Sequence, residues 1–138
     1  MKEWRYIKPL ATENLIPDAE KALGYQFNDT YIEFVKQYNG SRPPISVFKT
    51  NTSQERTIKS FLSFNPTDAE NIIRLNKGVT KISADLVAFA IDNFGNYVCF
   101  DKKSHEILFL DFETGKTELI EKAFDDFLQK IGQPKDIN

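Results

Sequence analysis

Three apolar runs, Leu86 to Ile91, Tyr97 to Phe100 and Ile107 to Leu110, lie close together and dominate the second half of the chain. Each is short and rich in aromatic and branched side chains. They are separated by Asp92-Asn93-Phe94-Gly95-Asn96 and by Asp101 to Glu106, both turn-forming compositions. The pattern predicts three consecutive strands. Neither connection is long enough for a parallel crossover, so the strands must form an antiparallel meander. The runs are nearly continuous rather than alternating, which predicts cover on both faces of the sheet. Every other element has to pack around this platform.

With 138 residues the chain suits one domain, and 41% apolar with 28% charged residues is ordinary globular composition. The expectation is a single domain over 1–138: a helical pair at about 13–40, sheet and helix at about 45–120, and a C-terminal helix at about 121–132. Cys99, the only cysteine, sits inside an apolar strand and reads as a small buried hydrophobe. The opening residues lack the apolar run of a signal peptide, and the longest apolar run, six residues, is far short of a membrane span. A soluble cytoplasmic protein is therefore expected.

The net charge of −2 is unevenly spread: Ala88 to Leu128 holds nine acids against four bases, and the remainder holds 14 bases against 11 acids. An acidic half argues against nucleic acid as a direct partner. It is compatible with a basic protein partner, whose approach it would steer.

In chain order, Trp4 is expected to tuck the N-terminal segment against the body. A first helix is read over Glu13 to Leu23, with Asn14 as cap and Gly24 as stop. A second follows Asn28, with Tyr31, Phe34, Val35 and Tyr38 as its apolar stripe, and ends at Asn39-Gly40. Ile45 to Thr50 and Thr57 to Phe64 read as strands. Asn65-Pro66-Thr67-Asp68 reads as the start of a third helix, stopping at Lys77-Gly78. Thr117 to Ile120 reads as a returning strand. Glu121 to Ile131 reads as the last helix, with Ala123, Phe124, Phe127, Leu128 and Ile131 inward and Gly132 as its stop.

The residues offer no catalytic constellation. His105, the only histidine, lies in a charged turn and reads as exposed and inert. One His and one Cys give no metal-ligand spacing, and there is no glycine-rich phosphate loop. Asp92, Asp101 and Asp111 each end a central strand. The meander puts Asp101 at the opposite end from Asp92, so these carboxylates cannot gather into one acid–base pair. No catalytic, metal or cofactor role is expected.

The ordered set of patches resembles the SUKH superfamily, the Smi/Knr-like proteins. The residues that carry it are Ala19 to Gly24 with Tyr31 to Gly40, then Leu86 to Asp92 with Gly95 to Asp101, then Ala123 to Leu128. One departure is Phe27-Asn28, where family members commonly have Leu-Pro before the second helix; Asn still caps well. The resemblance implies an α+β fold with a single, mainly antiparallel sheet and helices packed against it. It also implies a non-enzymatic binding role. Bacterial members are regarded as immunity proteins that neutralise polymorphic toxins, often nucleases, by direct binding; fungal relatives act as regulatory interaction scaffolds. A protein partner, in the first case a basic toxin domain, is what this implies. A small-molecule site on the sheet is the third alternative. The residues expected at the partner surface are Asp92, Asn93, Asp101, Asp111 and Glu113, which edge the sheet in the acidic half.

Overall fold

The computed structural model describes residues 3–137. The chain runs α1 (Leu15–Leu23), α2 (Asp29–Tyr38), β1 (Val47–Lys49), β2 (Glu55–Thr57), β3 (Ser60–Phe61), α3 (Ile72–Ile82), β4 (Leu86–Ile91), β5 (Tyr97–Asp101), β6 (Ile107–Leu110), β7 (Thr117–Glu121) and α4 (Phe124–Ile131). The main sheet has five strands in the order β3-β4-β5-β6-β7, antiparallel throughout. The three apolar runs form its centre in consecutive register, with Phe100 opposite Val87 and Ile107. The architecture is α+β.

One face of this sheet is packed with aromatic rings. Phe89 and Phe100 lie 4.4 Å apart, Tyr31 of α2 meets Phe100 at 5.1 Å, and Phe124 of α4 meets Tyr31 at 5.2 Å. All four are fully buried. The two edge-on pairs, Tyr31–Phe100 and Tyr31–Phe124, add roughly 0.5–1.5 kcal/mol each beyond the area they bury. Trp4 closes one side of the cluster. Its ring lies 5.0 Å from Phe34 and its indole N–H donates to the carbonyl of Gly132, 2.7 Å away. The N-terminal segment is thus tucked in as expected. Cys99 is buried, and burial pushes its thiol far up, which makes it inert.

Several boundaries differ from the sequence reading, each for a physical reason. The run Thr57 to Phe64 is not one strand. It divides into β2, which pairs with β1 in a separate two-stranded ribbon, and β3, which joins the main sheet at β4. The ribbon folds over the sheet, with Arg56 4.6 Å from the centre of the Phe109 ring and in ion-pair contact with Glu118. The last helix starts at Phe124 rather than Glu121, because Glu121 still pairs with Ile107 in the sheet. The first helix starts two residues late, and Asn14 makes no side-chain cap bond.

The third helix differs most. Asn65 does not cap it. Its side chain holds the N-terminal segment instead, accepting from Ala11 N–H and donating to the Pro9 carbonyl. Asn71 is the cap, accepting from Arg74 N–H at 2.8 Å. The helix also runs straight through Gly78 to Ile82. Gly78 is there for space: a Cβ at that position would lie 3.3 Å from the ring of Phe112.

α3 also finishes the sheet. β3 is only two residues long and pairs with Ile91 and Ala90, leaving the outer edge of β4 open near Ala88. The buried side chain of Asn76 fills the gap. Its Oδ1 accepts from Ala88 N–H at 2.8 Å, and its Nδ2 donates to Ala88 C=O at 2.9 Å and to Ile72 C=O at 2.8 Å. One amide side chain does here what a neighbouring strand would do.

Candidate interaction surface

The strands of the meander end alike. Asp92 Oδ1 accepts from the N–H groups of Phe94 and Asn96, Asp101 Oδ1 from Lys103 and Ser104, and Asp111 Oδ1 from Glu113 and Thr114. Each aspartate starts its turn by binding the backbone just ahead of it, the local geometry for which Asp is favoured after a strand. Asp92 is the most enclosed of the three and also accepts from Asn96 Nδ2. Gly95 and Gly115 supply the positive φ that the first and third turns need.

These turns fall at two ends of the sheet. Asp101 pairs with Leu86, at the end where β4 begins. The 92–96 and 111–116 turns lie together at the other end, where Asn96 Oδ1 accepts from Phe112 N–H at 3.1 Å and Phe112 meets the Tyr97 ring at 5.7 Å. Of the five residues singled out from the sequence, Asp92, Asn93, Asp111 and Glu113 therefore share one end, and Asp101 stands apart. Asn93 and Glu113 are exposed, whereas the carboxylates of Asp92, Asp101 and Asp111 hold their own turns.

The residue that sequence reasoning missed is Phe94. It is 81% exposed at the tip of the braced 92–96 turn, the most exposed of the large apolar side chains in the described residues. Phe112 and Ile82 also keep open surface at this end, and Ile82 Cγ2 would lie 3.5 Å from a Cβ on Gly115. The signal was in the sequence. A Phe inside Asp-Asn-Phe-Gly-Asn, between two paired strands, has no route to the core.

Several acids of 88–128 are engaged within the fold. Besides the three turn aspartates, Glu118 pairs with Arg56 and Glu121 with Lys130, and Asp125 accepts from the Thr30 hydroxyl. Among the described residues, Glu118 and Glu121 are the only acids of 88–128 in ion pairs, and the other seven, exposed Glu113 among them, have none. The fold does not gather these acids into one dense patch.

At the opposite end, His105 is exposed as expected but not idle: its Nδ1 lies 2.8 Å from the hydroxyl of Tyr25. Tyr25 is buried against Phe100, and burial, with the charge of Asp101 second, pushes its phenol up to about 12. This contact pins the 101–106 turn to the residues after α1. No group of three or more potential metal ligands occurs among the described residues. No helix there is long and apolar enough to cross a membrane.

A family model described as SUKH_6, SMI1-KNR4 cell-wall, matches residues 13–128. No curated protein matches the chain.

Proposed function

Because the chain belongs to the SMI1-KNR4 family of the SUKH superfamily, we propose that it is a non-enzymatic binding protein of the immunity type, acting in the cytoplasm, which neutralises a toxin by binding it directly. The observation that carries this reading is Phe94. A large aromatic side chain held in water by a rigid turn is unfavourable for an isolated domain and useful at an interface. Aromatic anchors carry a disproportionate share of binding energy, and a pre-braced turn loses little entropy on docking. Phe112 and Ile82 extend the apolar surface, with Asn93 and Glu113 at its rim. Asp92 and Asp111 position this end, while Asp101 would take part only if the partner reached the opposite turn. A basic toxin domain, often a nuclease, is the partner class that the charge of 88–128 favours. Glu113, exposed at this end and in no ion pair among the described residues, is the acid that would meet it.

The test is protection. A toxin encoded beside the gene for this chain is expressed in a sensitive host with and without it, and the purified pair is run on gel filtration. Protection with a stable complex, both weakened by Phe94→Ala, is the expected result. Phe94→Ala should leave folding stability within about 0.5 kcal/mol, since it removes an exposed side chain. Neither protection nor a complex would refute the proposal.

A further inference from the structure

A second surface lies on the far side of α3 from Phe112. Residues 73, 77 and 80 share one stripe of this helix on the side of α1, with which α3 is in contact. Between the two helices and the 101–106 turn is a cleft of about 400 Å³, whose lining includes Ala22, Leu23, Ile73, Lys77, Thr80 and Lys102. Its floor is apolar and incompletely covered: Leu23 and Ile73 pack on the core but remain partly open.

The charged residues that line this cleft, Lys77 and Lys102, are both basic. Residues 71 to 84 contain Arg74, Lys77 and Lys81 and no acid. Lys77 is exposed and has no acidic partner among the described residues. Asp85, the next acid along the chain, is paired with Lys103 at 3.4 Å. Lys102 is anchored: its Nζ donates to the Leu23 carbonyl at 2.7 Å, at the end of α1. An ammonium has three donors, so two remain for a ligand. The side chain is thereby held at the cleft mouth, with part of its ordering cost already met inside the fold.

We infer that the α1–α3 groove docks an acidic, apolar peptide segment of another protein, with an aliphatic side chain on Leu23 and Ile73 and carboxylates on Lys77 and Lys102. An apolar trough between two ammonium groups matches such a segment in both shape and sign. An anionic membrane is the weaker fit, because the apolar atoms lie in a concave groove that a flat surface does not enter. The surface is separate from the Phe94 end and does not depend on the toxin reading.

The experiment is titration of the isotope-labelled full chain, followed by amide chemical shifts. The probes are a short capped glutamate–leucine peptide, its lysine–leucine counterpart and phosphatidylglycerol vesicles. Expected are saturable shifts at Ala22, Leu23, Lys77, Thr80 and Lys102 with the acidic peptide alone, weakening as salt rises. Lys77→Glu should lower the affinity roughly tenfold, as for a charge reversed against a complementary partner. Lys122→Glu, the same charge change outside the groove, should not. Ala22→Trp, at an exposed helix position, should fill the groove and abolish the shifts while circular dichroism stays unchanged. The inference is overturned if the acidic peptide leaves the groove amides unmoved. It is equally overturned if the basic peptide or the vesicles move them as much, or if Lys77→Glu binds like the parent chain.

Discussion

Replacing Asn76 tests how the sheet is closed. In Asn76→Ala the N–H and C=O of Ala88 lose their partners at a fully buried position, together with the bond to Ile72 C=O. Ile72 C=O keeps its place in the helical ladder, so the loss centres on Ala88. Each orphaned backbone group costs about 1–3 kcal/mol. The better helix propensity of Ala returns about 0.6 kcal/mol. A net loss of about 2–5 kcal/mol follows, to be read from urea unfolding monitored by Trp4 fluorescence and circular dichroism. Hydrogen exchange should show Ala88 N–H losing protection selectively.

Asn76→Asp separates bonding from volume. The carboxylate keeps an acceptor for Ala88 N–H but turns an anion towards two carbonyls. Its folded pKa must therefore lie above the unfolded value of about 3.9. In that case the folded state holds its proton longer than the unfolded state, and the deficit grows as pH rises from about 4 towards neutrality. An Asn76→Ala variant within about 0.5 kcal/mol of the parent, with Ala88 N–H still slow to exchange, would refute the reasoning.

Other substitutions probe other parts of the fold. Phe100→Ala, which empties the centre of the ring cluster, should cost about 3–5 kcal/mol in the same urea assay, and an unchanged midpoint would place Phe100 outside the core. Gly132→Ala should destabilise by about 2–4 kcal/mol, because its φ is +105° and a Cβ there would collide with Pro44 Cγ. Tyr25 is held neutral up to about pH 12 in the fold, against 10.0 when free. Between those values the unfolded chain loses a proton that the folded chain keeps, so stability falls as pH rises through that window, and Tyr25→Phe should reduce the fall.

Much of this fold is legible in the sequence, and the exceptions share a cause. The meander is readable because its runs are long, apolar and divided by turn residues. α2 is readable because Asn28 caps it locally, its side chain accepting from Tyr31 N–H. Asn65 and Gly78 mislead because their partners are distant. Asn65 looks like a cap, yet it binds Pro9 and Ala11 across the fold. Gly78 looks like a stop, yet it makes room for Phe112. The division of Thr57 to Phe64 between two sheets is likewise set by which neighbour each half meets. At the candidate surface the strand-end aspartates are visible in the sequence, but their own turns claim them. Phe94 was overlooked because the turn was read for its charged and turn-forming residues, although its place there already denies it a route to the core.

The self-fastened turns have a consequence for how such a framework can diversify. In each, the strand's last carboxylate holds main-chain amides, and in the 92–96 and 111–116 turns the outward side chains of Asn93, Phe94 and Glu113 take no part in that fastening. Positions such as 93, 94 and 113 are free to be rewritten while the platform beneath stays put. A scaffold with that division of labour can follow a changing counterpart without refolding at every step.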